Sequence, residues 1–428
     1  MPAGALPVHR AFRAAPPMFV VLVEAMVMAT IAPVLAPVVA NPPPGGLMSD
    51  LSPSTRSLVY GIALGIQPLL AVCSAPLLGQ LSDRLGRKAI LLYTMSGLTL
   101  ATLGIGLAIS SGWVAFLFAS MIISGLSAGN QAVAQAALVD MSPHDRKALY
   151  LSLALLSSSL GFLVGPLAGS WLSDASLVSW FRPQTPFYTL SAASFLTLAL
   201  LAITMPGASR EAPLAAETID LLSGFRSLAN SFRNRTIGCV SLVFAFMQMA
   251  WAAYFLFLPI FLVTTEGLSR AKVGTIMAAM GVGFLVSYAV GLPLLSRFSS
   301  ARSIAQAGLL LTAAGMLGGA LAGHGLMLWL LIMLTGFVVS IAYGAILTLY
   351  AGAVDASRQG QILGISIAVV NFSWGVSSIL AGYLTAIASW VPIGMAAALM
   401  MLSFFASLAL PAPRDNAKGP QRAERTAP

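Results

Sequence analysis

Gly79-Gln80-Leu81-Ser82-Asp83-Arg84-Leu85-Gly86-Arg87-Lys88 closes one uncharged run, 57–81, and leads straight into another, 89–110. Each run is mostly apolar and about the length that crosses a bilayer as a helix, ~20 residues. The decapeptide therefore reads as a turn between two membrane spans. Its glycines allow a tight turn and close helix approach, and its acid and three bases need partners at an interface. The same alternation recurs outward in both directions. Apolar segments fall at 17–39, 57–81, 89–110, 114–139, 150–172 and 187–205, then at 237–263, 273–295, 304–321, 327–350, 362–387 and 391–410. Three uncharged stretches, 89–139, 303–354 and 359–413, are too long for one span each. They break at Ser110-Ser111-Gly112, Gly323-His324-Gly325 and Ala388-Ser389, so His324 reads as a solvated turn residue.

Composition demands the same architecture. Only 8% of the 428 residues are charged and mean hydropathy is +0.89, whereas a soluble domain carries about 25% charged residues. The net charge of +9 does not mark a nucleic-acid binder, because the bases sit in turns and tails. With the amino terminus inside, eighteen of the 22 Lys and Arg residues collect on one side; Arg56, Arg182, Arg270 and Lys272 fall on the other. That asymmetry predicts an even number of spans with both termini cytoplasmic, in a cell (inner) membrane. The apolar run after His9, Arg10 and Arg13 is too long for a signal peptide and reads as the first span. Cys73 and Cys239 lie in apolar runs with no CxxC or His-rich partner, so neither a metal, a cofactor nor a disulfide is expected.

The expectation is an all-α membrane protein of twelve transmembrane helices in two six-helix pseudo-repeats. The first bundle takes residues 1–205, a cytoplasmic linker 206–235, and the second bundle with a tail 236–428. In the linker, Ile219, Leu222, Phe225, Leu228 and Phe232 recur at helical spacing, with Asp220, Arg226 and Arg233 facing elsewhere, as in a helix lying on a membrane surface. A faint repeat supports the halves: Leu138-Val139-Asp140, Arg146 and Leu167-Ala168-Gly169 are echoed by Ala353-Val354-Asp355, Arg358 and Leu380-Ala381-Gly382.

Few residues inside the spans can carry chemistry. Glu24 is the one unambiguous acid deep in a predicted span; an ionised carboxyl is costly there, and one so placed can take a proton from one side and release it on the other. Its competing reading is a structural glutamate bonded to a neighbouring helix. The fifth span carries Gly161, Gly165 and Gly169 at every fourth position, a groove for another helix, with Pro166 bending the rod. Gln67, Asn130, Gln131, Gln248, Trp251, Tyr254, Tyr343, Asn371 and Trp374 are polar or aromatic near mid-span. As a set they describe a sparsely charged pocket suited to a small amphiphilic organic substrate. No nucleotide-binding glycine loop, Ser–His pair or pore-filter sequence is present, so neither an ATP-driven pump, an enzyme nor a channel is expected.

The pattern Gly-x-x-x-Asp-Arg-x-Gly-Arg-Lys at Gly79, Asp83, Arg84, Gly86, Arg87 and Lys88, in the turn between spans two and three, closely resembles the signature of the major facilitator superfamily. The resemblance implies a secondary transporter working by alternating access, in which spans one, four, seven and ten line the central cavity. It implies that Asp83 meets the amino end of the eleventh helix and that Arg87 pairs with Asp140, together forming a conformational latch. The fifth span, Gly161-Phe162-Leu163-Val164-Gly165-Pro166-Leu167-Ala168-Gly169, resembles the Gly-x-x-x-Gly-Pro-x-x-Gly motif of the exporters, or antiporters, of that family. Glu24-Ala25-Met26 with Pro33-Val34-Leu35 resembles the first helix of tetracycline-efflux proteins, where an aspartate stands in place of Glu24. Many proton-coupled relatives carry an arginine four residues before the glycine corresponding to Gly125; here that residue is Met121. The resemblance implies a monomer exchanging protons for an organic compound across the lipid bilayer, with an importing symporter of a metabolite or siderophore-like compound, or a non-transporting receptor, as its rivals.

Overall fold

Local signals set the helix starts. Ser52 caps α2 (Pro53–Leu85) by accepting from Thr55 N–H at 3.2 Å, with proline at the first helical position. Asn234, Ser269 and Ser300 cap α9 (Arg235–Thr264), α10 (Arg270–Val286) and α12 (Ala301–Leu321) in the same way. The computed structural model describes residues 8–143, 146–206, 222–323, 325–354 and 359–410. The remaining helices are α1 (Val8–Ala40), α3 (Arg87–Ser111), α4 (Val114–Leu126), α5 (Asn130–Met141), α6 (Lys147–Leu172), α7 (Thr185–Thr204), α8 (Ser223–Ser231), α11 (Leu292–Leu295), α13 (Leu326–Gly352), α14 (Gln359–Thr385) and α15 (Val391–Leu408).

Twelve helical stretches among the described residues are long and apolar enough to cross a membrane. Their ends agree with the sequence reading to within a few residues. Two of them are interrupted. The fourth, Val114–Met141, is α4 and α5 in series, parted at Ser127-Ala128-Gly129, where the sequence reads as continuous. The eighth, Arg270–Leu295, passes through a π-helical turn at Ser287–Gly291 before α11. His324, Ile219, Asp220, Asp355 and Arg358 lie outside the described residues.

The decapeptide turn is held by its own charges. Gly86 sits at φ +91°, a backbone conformation that disfavours any side chain, and lets α2 hand over to α3 without a loop. Arg87 pairs with Asp83 at 2.5 Å and with Asp140, at the end of α5, at 2.9 Å, and also donates to Ser82 Oγ at 2.6 Å. Lys88 donates to the last carbonyls of α7, those of Ala202 at 2.8 Å and Met205 at 2.6 Å, where a cation complements the helix dipole. Gly79, by contrast, has open space where a Cβ would stand, so it serves no close approach.

The first and fifth spans are fused by the glycine ladder. A Cβ at Gly161 would lie 2.7 Å from the Leu22 carbonyl, and one at Gly165 would lie 2.7 Å from that of Met26. Thr30 Oγ donates to the Gly165 carbonyl at 2.9 Å, closing the pair with a buried hydrogen bond. The two halves meet through other glycines: Gly61 against Gly382 and the Ser378 carbonyl, Gly65 against the Gly375 carbonyl, and Gly281 against Phe162 and Leu163. Pro166 has no N–H to offer the Phe162 carbonyl one turn back, and it is there that Gly281 approaches. Tyr60 of α2 donates to the Leu256 carbonyl of α9 at 3.0 Å. Tyr60, Gly61 and Gly65 lie toward the end of α2 opposite the decapeptide turn.

Within the amphipathic stretch read from sequence, the described residues form the linker helix α8 over Ser223–Ser231. It lies against α2, α9 and α14, with Gly224 beside the Val72 carbonyl and Leu228 packed on the core. Leu222, Phe225 and Phe232 remain exposed, as befits a face resting on lipid. Cys73 and Cys239 are free and half-buried.

Candidate functional site

One cavity gathers the mid-span polar groups of the first half. Glu24, Met28 and Ile31 of α1 face Gln67 of α2, Thr102 of α3, Met121 and Ser124 of α4, Ser127, and Asn130 of α5; Leu256 and Trp374 close it from the second half. Glu24 is the single ionisable residue in the lining. At about 50 Å³ the cavity has room for a water molecule or two. An organic substrate needs several hundred Å³, so loading one requires the halves to part further.

The Gln131 backbone N–H faces the Glu24 carboxyl. Its Oε2, the Oδ1 of Asn130 and the Nε1 of Trp374 are shut away from solvent without a hydrogen-bond partner. Buried polar atoms are nearly always paired; three that are not border this one cavity.

Of the mid-span residues singled out in the sequence, Gln67, Asn130 and Trp374 line this cavity. Gln131 does not: its side chain is exposed, and its backbone is what reaches Glu24. Gln248, Trp251 and Tyr254 are buried in the second half rather than in the lining. Trp251 packs against Phe255 at 5.9 Å and Phe284 at 5.7 Å between ring centroids. Tyr343 leans on Phe244 at 5.5 Å, and Asn371 returns its amide to the Ile367 carbonyl at 3.0 Å. Sequence reasoning missed Phe162, Phe255 and Phe284, because apolar rings in apolar spans carry no distinguishing pattern. Phe162 crosses between the halves, 6.3 Å from Phe255 and 6.0 Å from Phe284, and Phe255 in turn stands 6.2 Å from Trp374.

At the far end of the bundle Asp174, just beyond α6, meets the start of α10. Partial desolvation works to raise its carboxyl, but hydrogen bonds from Ser176 and the Ala271 N–H, with the Arg270 guanidinium, outweigh this and hold it below the usual carboxylate range. No group of His, Cys, Asp and Glu that could hold a metal occurs among the described residues.

Comparison with known proteins places this geometry. The chain matches the Major Facilitator Superfamily over residues 18–291 and, in a second match, 240–428. It is 28% identical over 326 residues to the class C tetracycline resistance protein of Escherichia coli, covering 74% of this chain and 78% of that one. It is 25% identical over 369 residues to the class D protein of Salmonella ordonez, covering 83% and 84%. Among solved structures, a D-xylose–proton symporter superposes with a TM-score of 0.74 at 14% identity, covering 94% of this chain and 97% of that one. The human organic anion transporter MFSD10 (TETRAN) gives 0.66 at 18%, covering 94% and 100%.

Proposed function

The chain belongs to the Major Facilitator Superfamily, and from that premise we propose that it is a proton-coupled exporter of a small amphiphilic organic compound. The observation that carries this reading is the cavity. A lone carboxyl, Glu24, lies among apolar and weakly polar walls shared by both halves. Lining of this kind suits an amphiphilic body and offers one exchangeable charge, which a proton and a substrate would occupy in turn. The Gly161–Gly169 ladder and the similarity to tetracycline resistance proteins support export as the direction. The charge asymmetry of the turns supports an inner-membrane protein with the Asp83–Lys88 turn and both termini in the cytoplasm.

Transport then alternates between the closure formed by Tyr60, Gly61 and Gly281 and a state in which that end parts. Purified protein in liposomes, given an imposed pH gradient and a panel of lipophilic cations, antibiotics and siderophores, tests the proposal. Uptake into inside-out vesicles driven by an acid interior is expected, and Glu24→Gln should abolish its dependence on the gradient. Gradient-driven transport that survives Glu24→Gln removes the proton role; uptake in the opposite sense makes the protein an importer.

A further inference from the structure

The fourth span is broken where it passes Glu24. Ser127 N–H closes α4 on the Ile123 carbonyl at 3.0 Å, and Val133 N–H opens α5 on the Gly129 carbonyl at 3.0 Å. Gly129, at φ +139°, makes the break, and no residue with a Cβ adopts that backbone readily. A new helix start in mid-membrane leaves first-turn N–H groups with no helical acceptor and the positive end of a dipole facing its surroundings. The N–H of Gln131 in that first turn is the one facing Glu24.

Among the described residues no side-chain cation does this work. The acids and bases of helices packed against α1 stand at helix ends: Arg56, Asp83 and Arg84 on α2, Arg87 and Lys88 on α3, Asp140 on α5, Lys147 on α6, Arg235 on α9, Arg270 and Lys272 on α10. None lines the cavity. Met121, where the arginine of many proton-coupled relatives would stand, does line it. The second observation is Asn130, the first residue of α5, which is 2% exposed and whose Oδ1 has no donor. Glu24 Oε2 is in the same condition on the same cavity. Two acceptor oxygens without a donor are completed by a single proton.

We propose that the break in helix four is the second component of the proton site. The amino end of α5, with the Gln131 N–H, faces the Glu24 carboxyl, and Asn130 Oδ1 receives the O–H when Glu24 carries the proton. The inference rests on the reading of Glu24 as the coupling carboxyl and adds Gly129, Asn130 and Gln131 as positioning residues. The proton comes from water on one side, resides on Oε2, and leaves to water on the other, so no further reactant is needed. A helix terminus thus does what a membrane arginine would do, without a second buried charge.

The test needs no substrate. Infrared difference spectra of the purified protein, titrated with acid in lipid, report the C=O stretch of a protonated buried carboxyl. A band present in the parent and absent in Glu24→Gln is expected; without it, Glu24 does not titrate and the proton reading of the previous subsection fails. Given that band, Asn130→Leu should move it to higher frequency, because the O–H loses its acceptor. Gln131→Pro deletes one N–H in a helix first turn, where proline is tolerated. It should change proton affinity by about tenfold or more, and adding Met121→Arg should restore the parent titration. Ala132→Pro, which deletes the neighbouring N–H, should leave the titration unchanged. A Glu24 band indifferent to both Asn130→Leu and Gln131→Pro overturns the role of the break while leaving Glu24 as the proton carrier. Should Gln131→Pro fail to fold, the Asn130→Leu band position alone decides.

Discussion

Replacing Gly165 by alanine adds one methyl where the backbones of α1 and α6 approach closely. That methyl would lie 2.7 Å from the Met26 carbonyl oxygen, 3.1 Å from Met26 Cα and 3.2 Å from Ala29 Cβ. Two of these atoms are backbone, so no side chain can swing aside. Ordinary contact begins at 3.4 Å, and the helices must separate by roughly 0.7 Å to reach it. Overpacking of this kind costs about 1–3 kcal/mol. The Thr30–Gly165 hydrogen bond, 2.9 Å long in the parent, stretches with it, for about 1 kcal/mol more. Reversible unfolding by SDS in mixed micelles should therefore show a loss of about 2–4 kcal/mol. The same substitution at Gly79 is the comparison. Open space surrounds that position inside α2, and alanine suits a helix interior better by about 1 kcal/mol, so stability should hold or rise. A Gly165→Ala protein within ~0.5 kcal/mol of the parent would refute the close approach of α1 and α6.

Other perturbations probe the remaining contacts. Tyr60→Phe removes the donor to the Leu256 carbonyl between the halves and should cost about 1–3 kcal/mol of closure at that end; spin-label distances between α2 and α9 should lengthen or broaden. Gly86→Ala places a side chain at φ +91° and should destabilise the first half by about 1–3 kcal/mol, read by SDS unfolding. For Asp174, whose carboxyl is held below its usual value, the contribution to closure is present above the ordinary carboxylate range and is lost as pH falls through the lowered value. Labelling of a cysteine placed beside α10 should rise on acidification of that end, and Asp174→Asn should remove the pH dependence.

Much of this was legible in the sequence because membranes enforce simple rules. Uncharged runs must be helices when no water can satisfy their backbones, so the twelve spans could be read from apolar length. The Arg87–Asp140 pair was accessible for a different reason: the resemblance of the Gly79–Lys88 turn to a family signature implies it. The break at Ser127–Gly129 was not. Gly-rich, small-residue segments serve both close packing and chain reversal, and Gly125, Ala128 and Gly129 fit either role until neighbours are known. Gln131 illustrates the same limit. Its amide side chain attracted attention, while the group that reaches Glu24 is a backbone N–H that any residue but proline would supply.

Arg87 and Lys88 are consecutive, yet between them they fasten the ends of α2, α5 and α7 to the start of α3. Among the described residues, the partners of these two side chains all belong to the first half. Their joint effect is mechanical: one end of the half is trussed, so that force applied at any helix is shared by four. Such a truss stiffens the first half. Cutting it should blur the swing of the half and slow each cycle.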